Sequence, residues 1–384
     1  MTNMGKKELL WAIKPRYLKA DKKEKSKILD EFCHNTDYAR KYATKILSAG
    51  YDNNRIAKTG RKGRLKLYNS EVILMVIKIW ELLDFPCGTR LKPSLPEMYE
   101  TLARFKEISF NENIKTKFAT ISAKTLDRRL KRERAIRHLK RNRGLTCKGT
   151  LLKSSIPVRI TDWDTSKLGF MEIDTVAHNG GDPSGIFIFT LDLTEIFSGW
   201  TEQEAVMGKG ETGVLNATKN IRKELPFDLL GIDGDNGGEI INYQMLKYCT
   251  LEKLVYTRSR PDRKNDNAYI EQKNKTHVRE LVGYGRYDTK KQLFLLNDLY
   301  RKEYRLFTNF FRPVMKIKSK EKLNNSVCKK KYDIARSPYQ RLMASDQISQ
   351  EAKDKLTKLY LSLNPVQLKQ IINKKVATIR ATAK

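Results

Sequence analysis

The chain has 384 residues, with 76 Lys and Arg against 44 Asp and Glu, so its formal net charge at pH 7 is +32. A chain this basic is unlike a neutral metabolic enzyme, and a hydrophobic content of 40% excludes disorder throughout its length. The length alone predicts two or three domains.

The charge changes sign along the chain. Residues 1 to 160 hold 38 basic and 16 acidic residues, residues 161 to 290 hold 16 and 21, and residues 291 to 384 hold 22 and 7. Two basic flanks around an acidic core predict that the flanks contact a polyanion while the core carboxylates do something else. The alternative, that the lysines only confer solubility, does not require the sign to reverse in one block.

Several classes of protein are disfavoured by what the sequence lacks. The longest apolar run, Val72 to Ile77, is too short to span a membrane, and Met1 to Arg16 has no apolar stretch of signal-peptide length. We therefore expect a cytoplasmic protein associated with the nucleoid. The five cysteines include no Cys-x-x-Cys pair and the four histidines have no zinc-ligand spacing, so a zinc finger is disfavoured.

Residues 22 to 48 predict two helices, the second beginning after Asn35-Thr36-Asp37, whose side chains suit a helix N-terminus. An apolar side on the second helix leaves four polar residues on or near its outer side: Arg40, Lys41, Thr44 and Lys45. This spacing is typical of a helix-turn-helix module that enters a major groove. An ordinary helical hairpin with a solvated basic face explains it equally well.

A second helical module is predicted from about Ser70 to Arg134, with helices near Ser70, over Leu95 to Phe105 and from Ser122. The last of these is the better recognition helix, because basic residues crowd its outer sides, among them Lys124, Arg128 and Arg129. Between the modules lies a basic arm suited to a minor groove, with Arg61, Lys62 and Arg64. A solvated linker is the alternative.

From Lys167 the pattern changes to short strands. Three strands come first, and helices and strands then alternate as far as about Leu281, which predicts a mixed sheet with helices on its faces. This order is the one expected of a ribonuclease-H-like core. The predicted fold class is therefore an α/β multidomain protein: helix-turn-helix modules, a ribonuclease-H-like mixed-sheet catalytic core, and a basic, mostly helical C-terminal region.

Three carboxylates stand out in this core. Asp174 lies toward the end of the first predicted strand, Asp235 follows the fourth, and Glu271 lies on the last core helix. Carboxylates remote in sequence converge when neighbouring strands end at one sheet edge and a helix packs across them. Such a cluster suits two Mg²⁺ ions roughly 3.5 to 4 Å apart, with Mn²⁺ as a substitute, which catalyse phosphoryl displacement. Taken singly, each acid is also explained as a solvated strand end, a turn or an exposed helical residue.

These residues and their neighbours resemble a known family. Its motifs stand here as Asp174 with Val176 and His178, as Asp235-Asn236-Gly237-Gly238-Glu239, as Arg260-Pro261, and as Asn265 through Asn274. Beyond the core, Asn309 through Lys316 and Ser337 through Leu342 extend the resemblance. The chain is similar to the integrase-core transposases of bacterial insertion sequences, relatives of retroviral integrases in the Asp-Asp-Glu superfamily.

The resemblance implies a metal-dependent DNA recombinase whose catalytic and metal-binding triad is Asp174, Asp235 and Glu271. It favours Asp235 over Asp233, because the family places its aspartate directly before Asn-Gly. The chain departs from retroviral integrases in having no His/Cys zinc module at its start. We expect double-stranded DNA as the partner, both as element ends and as target, and a homo-oligomer on DNA because two ends must be joined together.

Residues near the triad have open roles. Lys264, Lys273 and Lys275 flank Glu271 and suit phosphates of the scissile strand, although solvated lysines are a fair alternative. Glu172 shares the strand face of Asp174 and either tunes the site or faces solvent. His178 either contacts DNA or substrate water or is a satisfied structural histidine.

After the core, Asp288 to Phe311 predicts a helix, residues 312 to 336 an extended or small β element, and Ser349 to Ile379 helices broken at Asn364-Pro365. The predicted domains are 1 to 60, 61 to 150, 160 to 290 and 291 to 384. Two other functions fit the same features: a DNA-binding regulator on a non-catalytic ribonuclease-H-like scaffold, and a nuclease of RNA:DNA hybrids.

Overall fold

A computed structural model describes residues 1–48, 67–137, 166–234, 237–259, 268–324 and 327–384. The chain divides into two compact units, Met1–Leu67 and Tyr68–Lys384. No helix within the described ranges combines the length and the apolar character that crossing a membrane requires.

The first unit is a small helical bundle. Its helices are α1 (Asn3–Lys19), α2 (Lys22–Thr36) and α3 (Arg40–Ser48). The two helices predicted over residues 22 to 48 are confirmed, and α1 was not predicted. Asn35 to Asp37 end α2 instead of beginning α3, because Asp37 adopts the left-handed conformation that terminates a helix (φ 57°). The buried Ile28, Phe32 and Leu47 hold the bundle together.

The second unit begins with four helices. They are α4 (Ser70–Leu82), α5 (Gly88–Arg104), α6 (Glu112–Thr120) and α7 (Ala123–Ile136). Ser122 begins α7 as predicted, its hydroxyl accepting a hydrogen bond from the Thr125 N–H at 3.1 Å. The helix α6 was not predicted, and α5 starts seven residues earlier than expected although it contains Pro93 and Pro96. Burial of its apolar side outweighs the helix-breaking tendency of proline.

The centre of the second unit is a five-stranded mixed sheet. Its strands are β1 (Phe170–Ala177), β2 (Ile188–Glu195), β3 (Thr201–Met207), β4 (Gly231–Gly234) and β5 (Val255–Arg258). The order across the sheet is β3-β2-β1-β4-β5, with the first three strands antiparallel and β1, β4 and β5 parallel. This confirms the predicted mixed sheet with helices on its faces.

Alternation along the strands gives the sheet two different faces. One face is apolar: Met171, Ile173, Leu191 and Leu193 pack in a cluster with α8 (Glu211–Glu224) and α9 (Tyr243–Leu251). The other face is polar yet buried. Its inaccessible side chains include Glu172, Thr190, Asp192, Thr194 and Gln203.

The polar face is covered by the helices that follow the sheet. These are α10 (Ala268–Lys273), a π-helical segment (Asn274–Arg279), α11 (Glu280–Val282), α12 (Lys290–Leu299), a second π-helical segment (Tyr300–Tyr304) and α13 (Arg305–Phe311). The helix α10 contacts β1 and β2, whereas α12 and α13 contact β3.

The rest of the chain forms a hairpin and three helices. They are β6 (Ile317–Asn324) and β7 (Val327–Tyr332), paired antiparallel, and then α14 (Pro338–Met343), α15 (Gln350–Ser362) and α16 (Pro365–Ala381). The predicted small β element and the helix break at Asn364-Pro365 are therefore confirmed.

The helices α4 to α7 pack directly on this C-terminal region. The Tyr360 hydroxyl donates to Glu97 at 2.7 Å, and Asn364 donates to Glu107 at 2.8 Å. One hydrophobic cluster, which includes Trp80, Leu102 and Tyr360, runs through both. The four domain limits given above stay a prediction.

Two asparagines pair with the backbone of the edge strand β3. The Asn309 side chain accepts a hydrogen bond from the Thr201 N–H at 2.8 Å and donates one to the Thr201 carbonyl at 2.8 Å. Asn297 makes the same two bonds with Ala205, at 2.7 and 2.9 Å. These side chains occupy hydrogen-bonding positions that a further strand would otherwise fill.

Replacing Asn309 by Ala should lower the free energy of unfolding by about 1–3 kcal/mol, because it leaves the buried N–H and carbonyl of Thr201 unpaired. Urea denaturation of the full chain measures this change. Asn113→Ala, on an exposed side chain of α6, is the control and should have little effect. An Asn309→Ala variant as stable as the wild type would contradict this account of the edge.

Candidate active site

Asp174 lies on the polar face of β1, at the point where its pairing with β4 ends. The last register pair of the two strands is Ile173 with Gly234. The half-buried Asp174 carboxylate accepts hydrogen bonds from the Thr175 N–H at 2.7 Å and from the Asn274 amide at 2.5 Å. The site residue predicted from the strand end is thus held by the first residue of the π-helical segment.

Asp235 lies outside the described residues, but the segments on either side of it contact β1. Gly234, directly before it, pairs with Ile173. Glu239, four residues after it, accepts hydrogen bonds from the Thr175 hydroxyl and from the Lys209 ammonium, both at 3.0 Å. The two contacts fall on the residues immediately before and after Asp174.

Glu271 lies in α10, and its side chain falls outside the described residues. The helix around it is fixed on β1 by two contacts. The Ile270 N–H donates to the Glu172 carboxylate at 3.0 Å, and the Asn274 amide reaches Asp174. Position 271 follows the first contact by one residue and precedes the second by three, which is nearly one helical turn.

Two neighbouring acids have structural partners. Glu172 is buried and accepts the Ile270 N–H, so the expectation that it might face solvent is wrong. Asp233 is fully buried in β4 and accepts a hydrogen bond from the Thr257 hydroxyl of β5 at 2.5 Å. Asp233 therefore takes part in packing within the sheet, and the choice of Asp235 as the metal ligand stays a prediction.

Asp192, which was not singled out from the sequence, lies directly opposite Asp174 in the register of β1 and β2. It is inaccessible to solvent, and neither carboxylate oxygen has a hydrogen-bond partner among the described residues. Burial raises the pKa of Asp192 to about 8, opposed by the charge of Lys273 and reinforced by that of Asp174. A strand acid that alternates with apolar residues gives no sign in the sequence that it is buried.

Lys273 is buried in α10, with its ammonium 3.5 Å from the Gly199 carbonyl and 3.5 Å from His277 Nε2. Burial and the charge of Arg312 lower the pKa of Lys273 to about 7, against the opposing effect of Asp192. The prediction that Lys273 holds DNA phosphates is therefore wrong: the ammonium is enclosed beneath the helix and cannot meet a strand in solvent.

The other residues predicted to contact DNA have several locations. Lys275 is exposed on the π-helical segment. The four residues predicted on the second helix are exposed on α3: Arg40, Lys41, Thr44 and Lys45. Of these, Arg40 forms an ion pair with Asp30 and donates a hydrogen bond to the Ser26 hydroxyl at 2.8 Å. Lys124, Arg128 and Arg129 are exposed on α7 and form no ion pair or side-chain hydrogen bond with another described residue. Arg61, Lys62, Arg64 and Lys264 lie outside the described residues.

The donors at this site suit a hard cation. Asp174 offers carboxylate oxygens, and beside it the buried Asn274 Oδ1 has no hydrogen-bond partner within the described parts of the chain. Oxygen ligands of this kind are the ones Mg²⁺ prefers. The described side chains include no group of three His, Cys, Asp or Glu placed to hold a metal, and the Asp235 and Glu271 side chains are not among them.

His178 proves to be a structural residue. It is fully buried, and its Nε2 lies 2.7 Å from the Thr190 hydroxyl, which in turn lies 3.1 Å from the Tyr300 hydroxyl. Burial lowers the pKa of His178 to about 3, and the charge of Arg279 acts in the same direction. Of the two roles left open for His178, burial favours the structural one, although only Nε2 has a hydrogen-bond partner among the described residues and Nδ1 has none.

No protein-family model matches the chain. The uncharacterized protein y4rM of Sinorhizobium fredii (strain NBRC 101917 / NGR234) is 36% identical to it over 326 residues, which are 84% of this chain and 91% of that protein.

Several solved retroviral integrase structures are weakly similar to the chain. The HTLV-2 integrase catalytic core domain in complex with magnesium, in its dimeric form, shares 14% identity over 38% of this chain and 88% of its own, with a TM-score of 0.28. The simian T-cell lymphotropic virus intasome in complex with PP2A regulatory subunit B56 gamma shares 12% identity with the chain. That match covers 56% of this chain and 70% of the other, with a TM-score of 0.31. The BIV integrase catalytic core domain shares 14% identity with the chain, with a TM-score of 0.24. That match covers 28% of this chain and 64% of the BIV chain. TM-scores this low do not establish a shared fold.

Acidification should destabilise the protein through His178. Its folded pKa of about 3 lies below the unfolded value near 6.5, so between these pH values the unfolded chain binds a proton that the folded chain does not. Folding stability contributed by this site is therefore lost as pH falls below 6.5, by up to about 2 kcal/mol at pH 5. The difference in unfolding free energy between pH 7.5 and 5.0 should be smaller in His178→Gln. The exposed His34→Gln should leave it unchanged, and equal slopes in all three proteins would refute the assignment.

Proposed function

The chain belongs to the family of the uncharacterized Sinorhizobium fredii protein y4rM, and from its own residues we propose that it is a DNA transposase of the integrase type. It would hydrolyse a phosphodiester at the ends of a mobile element and use the released 3′-hydroxyl to attack target DNA. In chemical terms it is a metal-dependent polynucleotidyl transferase.

The observation that carries the proposal is the placing of three chain segments around Asp174. Gly234 and Glu239 contact the residues on either side of Asp174, and Asp235 lies between them in the sequence. Ile270 and Asn274 contact Glu172 and Asp174, and Glu271 lies between them on the helix. These contacts support the convergence of Asp174, Asp235 and Glu271 at one edge of the sheet.

In this proposal, Asp174, Asp235 and Glu271 hold two Mg²⁺ ions. The bound ions would supply an activated oxygen nucleophile and stabilise the leaving oxygen of an in-line displacement. Asn274 orients the Asp174 carboxylate, and Glu172 fixes the start of α10 through the Ile270 N–H. The reaction requires no covalent enzyme intermediate, so it needs no Ser, Cys or Tyr nucleophile.

Recognition of DNA is assigned to the helical elements ahead of the sheet. Only Ile121 and Ser122 separate α6 from α7, a connection short enough for a helix-turn-helix. The exposed Lys124, Arg128 and Arg129 of α7 have no ion pair with another described residue to break before they meet phosphates or bases. The α2 and α3 pair is the second candidate, although Arg40 is already engaged by Asp30.

Two element ends must be brought together for coordinated joining. We therefore propose that the working form is a homo-oligomer assembled on double-stranded DNA, within the cytoplasm and associated with the nucleoid.

Asp235→Asn tests the proposed chemistry. The substitution keeps the size of the side chain but removes a metal-binding charge, so Mg²⁺-dependent cleavage and strand transfer should fall at least 100-fold, as expected when a metal ligand that acts in the transition state is lost. The substrate is a duplex from the DNA on either side of the gene, where a mobile element would carry its inverted repeats. DNA affinity should stay within about twofold of wild type, since phosphate contacts elsewhere provide it.

The control is Asp228→Asn, which removes one charge from an exposed position before β4. It should cleave like wild type. Wild-type protein that binds the repeats but is inert with Mg²⁺ and Mn²⁺ would point to a DNA-binding regulator. Preferential cleavage of RNA:DNA hybrids over duplex DNA would point to a hybrid nuclease.

The double variant Arg128→Ala/Arg129→Ala tests recognition by α7. Each lost phosphate contact should reduce the slope of log affinity against log salt by about 1, and loss of a base contact should cost about 1–3 kcal/mol. Fluorescence anisotropy at several salt concentrations measures both. Lys358→Ala, on an exposed side chain of α15, is the matched control. Affinity and slope unchanged in the double variant would remove α7 from the DNA interface.

A further inference from the structure

The turn between β3 and α8 brings a lysine to the edge of the proposed active site. The Lys209 ammonium donates a hydrogen bond to the Glu239 carboxylate at 3.0 Å, and the Thr175 hydroxyl donates one to the same oxygen, also at 3.0 Å. Thr175 directly follows Asp174, and Glu239 follows Asp235 by four residues. One carboxylate oxygen therefore joins Lys209 to two of the segments that carry the proposed metal ligands.

The Lys209 ammonium is held in place and yet is open to solvent. The side chain of Lys209 is 55% exposed, whereas that of Glu239 is 11% exposed. The ammonium also lies 5.2 Å from the centre of the Phe189 ring, which is a cation–π distance. An ammonium carries three N–H donors, and within the described parts of the chain its hydrogen-bond acceptor is Glu239. Lys209 thus presents a fixed positive charge that has donors left for a ligand.

The backbone around Lys209 leaves room for a large ligand. Lys209 stands between Gly208 and Gly210, and Gly238 directly precedes Glu239. A Cβ atom added to Gly210 or to Gly238 would have no atom of the described residues within 4 Å. Glycine at such positions lets another backbone approach closely. A DNA strand therefore has access to the Lys209 ammonium from this side.

Folding stability alone explains the contact between Lys209 and Glu239 poorly, because ion pairs with an exposed partner contribute little to it. An ammonium held at the edge of a phosphoryl-transfer site can instead orient a strand by its phosphates, and such orientation brings the reacting atoms together. Lys273, which was predicted to make a contact of this kind, is enclosed beneath α10. Lys209 offers the contact from the other side of β1.

We propose that Lys209 binds a backbone phosphate of the DNA strand that occupies the site around Asp174, and so places that strand for the reaction. Glu239 is a positioning residue that keeps the ammonium at the edge of the site. This inference rests on the proposed function, and it adds a DNA contact at a residue that was not singled out from the sequence. The phosphate belongs either to an element end or to target DNA, and the experiment below separates the two.

Lys209→Met, in the full chain, tests the contact. The variant keeps an unbranched side chain that can cover Phe189 but lacks the ammonium, so its melting temperature should stay close to that of wild type. Loss of one phosphate contact should reduce the slope of log affinity against log salt by about 1, measured by fluorescence anisotropy with an element-end duplex. At saturating DNA, the rate of the step that uses this phosphate should fall at least tenfold. Lys209→Arg keeps the charge and should recover most of both losses.

Two reactions distinguish the possible sources of the phosphate. One is Mg²⁺-dependent cleavage of an intact element end, and the other is strand transfer of a pre-cleaved end, which already carries its 3′-hydroxyl, into target DNA. A defect of Lys209→Met in cleavage assigns the phosphate to the element end, whereas a defect confined to strand transfer assigns it to the target. Rates of both reactions within twofold of wild type would overturn the proposal.

Lys219→Met is the matched control. Lys219 is an exposed residue of α8, and its ammonium lies 5.2 Å from the centre of the Tyr248 ring, the same distance that separates Lys209 from Phe189. This variant should keep the wild-type salt slope and both rates. Equal losses in Lys209→Met and Lys219→Met would reveal a general effect of positive charge and would overturn the proposal.

Failure of the proposed function can be told apart from failure of this inference. A wild-type protein that binds the duplex but neither cleaves nor transfers it would defeat the proposed function by itself. The salt dependence of binding then decides on Lys209. A slope lower by about 1 in Lys209→Met supports the phosphate contact, and an unchanged slope rejects it.

Discussion

The central constraint on this protein is that both faces of its sheet are buried although only one of them is apolar. On the second face, carboxylates, threonines and a glutamine must be covered by elements that carry complementary groups, since an unpaired buried polar group costs free energy. The segment from α10 onward meets part of this requirement with the Ile270 N–H and the Asn274 amide, which donate to Glu172 and Asp174, while Asn297 and Asn309 pair with the backbone of the edge strand β3. The site around Asp174 is therefore the open end of a polar layer that continues into the interior.

The same constraint explains the C-terminal region, whose purpose the sequence left open. Asn309 closes the edge of β3, and the next residue, Phe310, stacks on Tyr339 and lies parallel to Tyr360. Tyr360 in turn donates to Glu97 and lies 3.1 Å from the Thr101 hydroxyl, both on α5. A chain of contacts thus runs from the sheet edge through the C-terminal helices to the helices that precede the sheet. Asn309, Phe310 and Tyr339, which belong to the motifs of the family resemblance, therefore connect the sheet edge to the C-terminal helices.

The spacing of apolar residues predicted a helix or strand well where the whole segment followed a single pattern, either alternating or helical. Apolar residues alternate with polar ones from Met171 to Thr175 in β1 and recur at helical spacing along α8, because the apolar face of each packs against the other. The helices α1 and α6 were missed, and α5 was begun too late. The helix α5 contains Pro93 and Pro96, and burial of its apolar side outweighs their helix-breaking tendency.

The site was less predictable than the fold. Asp174 could be chosen from its place on a strand, but Asp235 and Glu271 were selected jointly with a family resemblance. Lys273 and Lys275 look alike in the sequence, yet one is buried and the other exposed. The side of a short helix that faces inward depends on what packs against it, and the sequence of α10 alone does not contain that information. Asp192 was missed for the same reason: the helix α10, which covers its strand, is remote in the chain.

The π-helical turn after α10 follows from these demands. At its start the segment must direct polar groups to the sheet, since Asn274 meets Asp174, while a few residues later Val278 and Val282 enter the apolar core shared with α12 and α13. A regular α-helix would carry one fixed face along its length. Widening one turn by a residue rotates the following face, so the same helix serves a polar site at one end and an apolar core at the other. Placement of α10 is then set from both ends: by burial of Val278 and Val282 on one side, and by the hydrogen bonds of Ile270 and Asn274 to the carboxylates of β1 on the other.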